Sequence, residues 1–371
     1  MIQALLLVAL AQGVTDDRIL IGMEGPANSF SVDEENLGMR LVIRQANESG
    51  GIHGRTLVEK AYPRGSDDPV GQAVTNAQRL VEQDGVFLLF NFGGPAAVRI
   101  GEYAMERDVP YLFPHTALLT VDGDRHIFTS YPRYDGESRM MLEFLVRERQ
   151  AKRIAVVHAP NIYGDYFAGR AAALADEIGY DFVGAQSLPI QPEAAVSQMQ
   201  ALRELDPDAV VMALYPAGAR RVVEAKAALA WDITLVSSGP LTDEQYLNVD
   251  GGQAEGTLGF CYYPDPNVSD APGVADYRRL MAQYHPDHPL NRYSLYGYVF
   301  GQLVAEGLRR AGRDLTEDAF LDAMESIRDW DSGGILPPVS FSSSDHHAQT
   351  AGFVCELRDA RFEPLTGWIS P

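Results

Sequence analysis

The chain is poor in cysteine: Cys261 and Cys355 are the only two in 371 residues, and their wide separation matches no zinc or redox motif. Two readings stay open for them, a disulfide in an exported protein or buried thiols in a cytosolic one. Positive charge is scarce as well. Lys and Arg total 30 against 51 Asp and Glu, giving a formal net charge of −21 and a pI near 4.7. The averaged field repels phosphate backbones and anionic lipid, which argues against nucleic-acid and membrane-surface partners. No apolar run is long enough to cross a bilayer, so no direct membrane insertion is expected. Also missing are G-x-S-x-G, H-E-x-x-H, a P-loop and a G-x-G-x-x-G that follows a strand. No catalytic residue, no cofactor and no enzymatic activity are therefore expected. "DHH" (345–347) and "HPDH" (285–288) lie in polar, turn-like sequence and read as surface loops, so no metal site is expected. No helix-turn-helix precedes the first strand, which disfavours a DNA-binding repressor.

What is present is a globular composition, 46% hydrophobic and 22% charged, in a chain of a length that suits two domains. The first residues, "MIQALLLVALAQG", hold an apolar run from Ala4 to Ala11 with the dimensions of a signal-peptide core, and Ala9-Leu10-Ala11 would supply the small-x-small cleavage site. No basic residue precedes the run, so a buried first strand is the alternative.

Beyond the leader the pattern alternates. "RILIGME" reads as a strand, the stretch from Leu37 to Glu48 has helical spacing, and "TLVEKA" is a second strand. Asp67-Asp68-Pro69 opens a helix with acids at its positive end and proline early. "GVFLLF" is a continuous apolar strand of the kind buried on both faces of a parallel sheet. The alternation restarts with "RIAVVH", "DFVGAQ", "DAVVMA" and "ITLVS", each followed or preceded by a helical stretch. Repeated units of this size predict an α/β fold with two doubly wound parallel sheets. Two long helices (271–284 and 292–311), a shorter one (317–327) and a terminal hairpin from Phe353 complete the chain.

Ligands of open parallel sheets lie beyond the carboxyl ends of the strands. The loops there are "EGPANSFS" (24–31), "NFGGP" (91–95) and "FPHTA" (113–117) in the first half, then "HAPNIYGDY" (158–166), "ALYPAG" (213–218) and "SSGPLT" (237–242). Gly93 and Gly94 allow a close approach to the main chain, and Pro95 suits the first position of a helix whose N-terminus favours an anion. A ligand carboxylate is the expected occupant; a plain strand-to-helix turn is the alternative. His115 and Thr116 are candidate donors to the same group, with Ser29, Phe30 and Phe92 beside them. From the second half, Tyr163, Tyr166 and Tyr215 are candidate caps for an apolar ligand, with Gly239 in the next loop. Tyr262 and Tyr263 in "FCYYPDP", with Tyr293 and Tyr296, are weaker candidates.

The segments "GPANSFS", "ANESGGIHGRTLVE", "DDPVGQAVTNAQRLVEQDGV", "VPYLFPHTA", "RIAVVHAPNIYGDYFAGR", "AEGTLG" and "LPPVSFSSSDHH", taken in order, resemble the solute-binding proteins of branched-chain amino acid type ABC transporters. The resemblance runs from about residue 18 over nearly all of the chain. It implies a type I periplasmic binding fold, a periplasmic location, a monomer, a small-molecule ligand in the cleft between two lobes, and delivery to an ABC permease. It also implies three hinge crossings, placed near 129–133, 258–264 and 338–343. Residues 1–14 would then be signal peptide and leader, 15–130 with 265–338 the first lobe, and 131–264 with 339–371 the second. A ligand-sensing receptor with the same fold and no transport role is the alternative.

The sequence departs from that family in three loops. Gly93-Gly94 stand where members usually place a serine, and His115-Thr116 match a small residue followed by threonine only in part. Leu241 stands where members place an acid for the ligand ammonium, with none before Asp243. A buried, unpaired ammonium costs several kcal/mol, so an amino-acid ligand would need another acid. Asp165 is the nearest candidate, with helix capping its alternative role. The ligand is thus expected to be an amino acid or a small aromatic or aliphatic carboxylate.

Overall fold

A computed structural model describes residues 10–27, 29–65, 67–117, 119, 124–190, 193–242 and 252–370. The leader residues 1–9 and Asp243 fall outside these. The chain divides into two compact units, Met1–Tyr131 with Pro266–Gln349 and Pro132–Asp265 with Thr350–Pro371. It therefore passes from one unit to the other at 131/132, 265/266 and 349/350. The last passage falls beyond 338–343, because the segment before it is tied to the first unit. Phe341 N donates to Ile327 O at 3.0 Å and Ala348 N to Thr129 O at 2.9 Å, while Trp330 and Val339 exchange backbone bonds.

The first unit is built on a five-stranded sheet in the order β2-β1-β3-β4-β5. Its strands are β1 (Arg18–Glu24), β2 (Thr56–Tyr62), β3 (Leu88–Phe90), β4 (Tyr111–Leu112) and β5 (Ile127–Phe128), and every pairing is parallel. Leu88, Leu89 and Phe90 are wholly buried, as a strand covered on both faces requires. The unit's first three helices are α1 (Phe30–Glu48), α2 (Pro69–Glu82) and α3 (Gly94–Glu106). At the start of α2 the Asp68 side chain accepts from Gly71 N, with Pro69 at the first helical position.

Helix α1 begins at Phe30, well before the apolar spacing that starts at Leu37. Its first turns, Asp33-Glu34-Glu35-Asn36, are polar, yet Glu34, Glu35 and Asn36 are buried. They can be buried because each is bonded: Glu34 to His288 and Asn291, Glu35 to His115 and Tyr131, Asn36 to the carbonyl of Glu24.

The second unit has a seven-stranded sheet in the order β12-β11-β10-β9-β8-β6-β7. The parallel part is β6 (Arg153–His158), β7 (Asp181–Ser187), β8 (Ala209–Ala213), β9 (Thr234–Ser237) and β10 (Leu258–Cys261). The hairpin β11 (Phe353–Arg358) and β12 (Arg361–Pro364) adds two antiparallel strands. Its helices are α4 (Tyr134–Glu148), α5 (Ile162–Ile178), α6 (Val196–Arg203) and α7 (Pro216–Ala228). Three further helices return to the first unit: α8 (Pro272–Tyr284), α9 (Arg292–Ala311) and α10 (Glu317–Glu325). Helix α9 lies against α1 backbone to backbone. A Cβ on Gly38 would meet Ser294 O at 2.1 Å, and one on Gly297 would meet Glu35 O at 1.7 Å, so only glycine fits at either position. Among the described residues no helix is long and apolar enough to cross a membrane.

Cys261 and Cys355 form a disulfide across β10 and β11, closing a loop of 94 residues. This decides between the two open readings in favour of pairing. Both cysteines are wholly buried. The paired substitution Cys261→Ser with Cys355→Ser is expected to cost about 2–4 kcal/mol. Urea unfolding checks this: an unchanged midpoint would mean the bridge contributes nothing.

Candidate functional site

The first unit gathers polar groups where β1, β3 and β4 end. Glu24, the last residue of β1, is wholly buried. Its Oε1 lies 3.0 Å from Arg64 Nη1, and its Oε2 accepts from Gly93 N at 3.3 Å. Burial pushes its carboxyl up to about 7, a rise opposed by Arg64 and by the Gly93 amide. Arg64 also donates from Nε and Nη2 to Ala27 O. Beyond β3, Asn91 adopts φ +52 and donates to Asn36 Oδ1 at 3.2 Å.

His115 follows β4 and pairs with Gly93 as an isolated parallel bridge. Its Nδ1 lies 2.6 Å from Glu35 Oε1, which also accepts from Tyr131 OH at 3.0 Å. Aromatic rings surround it: Tyr131 at 5.2 Å, Tyr293 at 5.9 Å and Tyr296 at 6.5 Å between centroids. Phe30 packs edge-on against Tyr293 and is 36% exposed. Ser29 is the N-cap of α1 but makes no capping bond; its hydroxyl lies 3.3 Å from that of Ser31. Thr116 is buried.

The second unit gathers tyrosines where β6, β8 and β9 end. Tyr163 is buried and its hydroxyl bonds Ser238 Oγ; Tyr215 OH accepts from Asn161 Nδ2 at 3.0 Å. The two rings are 5.8 Å apart, with Tyr134 5.3 Å from Tyr163. Glu137 of α4 is wholly buried, accepting from Gly239 N at 2.7 Å and from the Tyr262 hydroxyl. Burial raises its carboxyl to about 7, against the pull of those two donors. Burial likewise drives the Tyr163 and Tyr262 phenols well above 10. The Tyr262 ring lies directly over Gly239, where an added Cβ would come within 2.0 Å of it. Among the described residues no three His, Cys, Asp or Glu side chains are grouped to hold a metal ion.

The sequence matches the model of the family described as periplasmic binding protein over residues 19–361. The chain belongs to the periplasmic binding protein family. The Leu/Ile/Val-binding protein homolog 3 of Brucella melitensis is 22% identical over 79% of this chain and 78% of its own length. Two solved structures share the fold. The branched-chain amino acid ABC transporter protein of Thermus thermophilus with bound valine is 16% identical, covers 98% of each chain and has a TM-score of 0.82. The fatty acid ABC transporter substrate-binding protein of Thermomonospora curvata is 19% identical, covers 98% of this chain and 95% of its own, and has a TM-score of 0.84. The fold is thus the type I periplasmic binding fold, with two α/β units linked by three chain passages.

In this periplasmic binding protein the Gly93-Gly94 step is not the open anion cradle that the glycines suggest. Gly93 N is bonded to Glu24 and Gly94 N to His115 O at 3.3 Å, so the carboxylate at the start of α3 is the protein's own. Gly93 does not face open space either, since a Cβ there would lie 2.6 Å from Val32 Cγ2. Gly94 does face open space but has φ +62, which strains any other residue. Phe92 is wholly buried in the first unit's apolar core with Ala96 and Tyr111. Asp165 is an exposed residue of the first turn of α5, 3.4 Å from His158, and the cap of that helix is Asn161. Leu241 is wholly buried in the second unit's apolar core. Tyr263 is buried just past β10, and Tyr293 and Tyr296, weaker candidates by sequence, stand in the His115 cluster.

Three residues central to these clusters, Glu24, Glu35 and Glu137, were not singled out by sequence. The only sequence signal for Glu24 was its place at the end of a strand, beside a loop read as ligand-facing.

Two outcomes follow. Gly93→Ala is expected to lower stability by about 1–3 kcal/mol through overpacking, and Val32→Ala in the same chain to restore part of it; additive losses in chemical unfolding would contradict that contact. For Glu137, a folded-state pKa raised from 4.5 to about 7 means the stability it lends is full below pH 4.5 and lost as pH rises through 7. Glu137→Gln should therefore gain on the parent protein as pH rises from 5 to 8. Parallel melting-temperature profiles would show that Glu137 titrates normally.

Proposed function

We propose that this protein is an exported, monomeric solute-binding protein that captures a small organic ligand and hands it to an ABC permease. The ligand class is an amino acid or a small aromatic or aliphatic carboxylate. One observation carries the reading: each unit ends the strands of its parallel sheet in a cluster of buried acids and tyrosine hydroxyls, at the sheet edge where α/β folds bind ligands. Ser29, Phe30, His115 and Thr116 contribute from the first unit, and Tyr163, Tyr215, Gly239 and Tyr263 from the second. Transport then needs no bond to be broken. Ligand has only to favour one conformation, which the permease recognises.

A ligand that binds only the folded protein raises its unfolding midpoint. A thermal-shift screen of the purified protein against L-amino acids, benzoate, 4-methylpentanoate and their amides should give a concentration-dependent rise with at least one. Tyr163→Ala and Tyr215→Ala should weaken that binding at least tenfold, as loss of an aromatic contact and its hydroxyl would. No rise with any of them would overturn the reading.

A further inference from the structure

We infer that Glu35 selects the solute by its N–H donors, so that the end of the ligand held by the first unit is an ammonium or a primary amide and not a free carboxylate. This rests on the solute-binding reading and revises its ligand class: an amino acid held by its ammonium stays, a plain carboxylate is excluded and a primary amide is added. The cluster around His115 is short of donors, not of acceptors. Glu35 has no exposed side-chain surface. Its Oε1 receives two donors, His115 Nδ1 and Tyr131 OH, whereas its Oε2 has no hydrogen-bond partner among the described residues. Asn91, wholly buried, likewise keeps an Oδ1 without a donor, and its amide nitrogen is bonded to Asn36, the neighbour of Glu35. A buried acceptor left unpaired is costly, and a guest that brings a donor removes the cost.

Of the donors that could hold a ligand carboxylate, those nearest the start of α3 are already committed. Gly93 N is on Glu24, Gly94 N is on His115 O, and Arg64 divides its guanidinium between Glu24 and Ala27 O. A carboxylate brought to Glu35 Oε2 would set one acceptor oxygen against another. An N–H group meets the opposite: an acceptor oxygen at Glu35, and tyrosine rings around His115 whose faces favour a positive or polarised N–H. At the margin of the cluster Phe30 is 36% exposed and the His115 side chain 19% exposed.

Titration calorimetry on the intact protein tests this with matched probes: leucine, leucinamide, 4-methylpentanamide and 4-methylpentanoate, then benzamide and benzoate. The expected result is that N–H-bearing members bind at least tenfold more tightly than the carboxylate of the same skeleton, the scale of one hydrogen bond to a charged group. Glu35→Gln, which replaces an acceptor oxygen with NH₂, should weaken the best N–H-bearing probe at least tenfold while far-UV circular dichroism stays unchanged. A carboxylate that binds as tightly as its N–H-bearing counterpart, or a folded Glu35→Gln protein with full affinity, would overturn the inference and leave the solute-binding reading standing. Should Glu35→Gln fail to fold, the ligand series on the unaltered protein decides alone. If no probe binds, the solute-binding reading falls and the inference with it.

Discussion

The first unit depends on one constraint, the burial of the polar run Glu34-Glu35-Asn36 inside α1. Glycine at 38 and 297 lets α1 and α9 approach until backbones touch, and this leaves those side chains little or no contact with water. Each must be answered by a partner from a distant part of the chain. His288 and Asn291 answer Glu34, His115 and Tyr131 answer Glu35, and the end of β1 answers Asn36. These bonds place the ends of β1 and β4 against α1, so the arrangement that closes the core also assembles the candidate site. A half-satisfied buried network is costly, and one oxygen of Glu35 is left without a hydrogen-bond partner among the described residues.

The second unit repeats the device with different residues. Glu137 is carried by α4 into a buried setting where, among the described residues, no cationic side chain pairs with it and the Gly239 amide and the Tyr262 hydroxyl hold it. Two hydrogen bonds do not offset the loss of hydration, which is why its carboxyl titrates near neutrality. The Tyr262 ring in turn covers Gly239, and Tyr163 anchors Ser238 beside it. The β9 loop is thereby fixed by side chains from α4, α5 and the segment after β10. The disulfide ties that same segment's strand to the terminal hairpin.

The sheets were legible in the sequence because buried parallel strands such as "VFLLF" and "AVVMA" are apolar without interruption, and most helices because they keep a periodic apolar face. The failures have a common cause. The start of α1 and the whole of α4 were missed because both bury polar residues, Glu35 and Glu137 among them, and a buried acid looks in sequence like a solvated one. Only the partners, 80 and 125 residues away for Glu35 and Glu137, show otherwise. His115, Thr116, Tyr163 and Tyr215 stand beyond strand ends, where the sequence places them. A glycine at a strand end fits an anion cradle and tight packing equally well, so the sequence does not reveal that Gly93 packs on Val32 and that Glu24 holds its amide. Phe92 and Leu241 are apolar residues of such loops that enter the cores.

A bound solute should slow exchange at the amides of the strand-end loops. Hydrogen exchange of the backbone amides, measured with and without a saturating probe that raises the unfolding midpoint, tests it most directly. Slowed exchange is expected to concentrate in residues 91–95, 113–117, 158–166 and 237–242, the strand-end loops of each unit. Protection confined to one unit, or placed away from these loops, would contradict it.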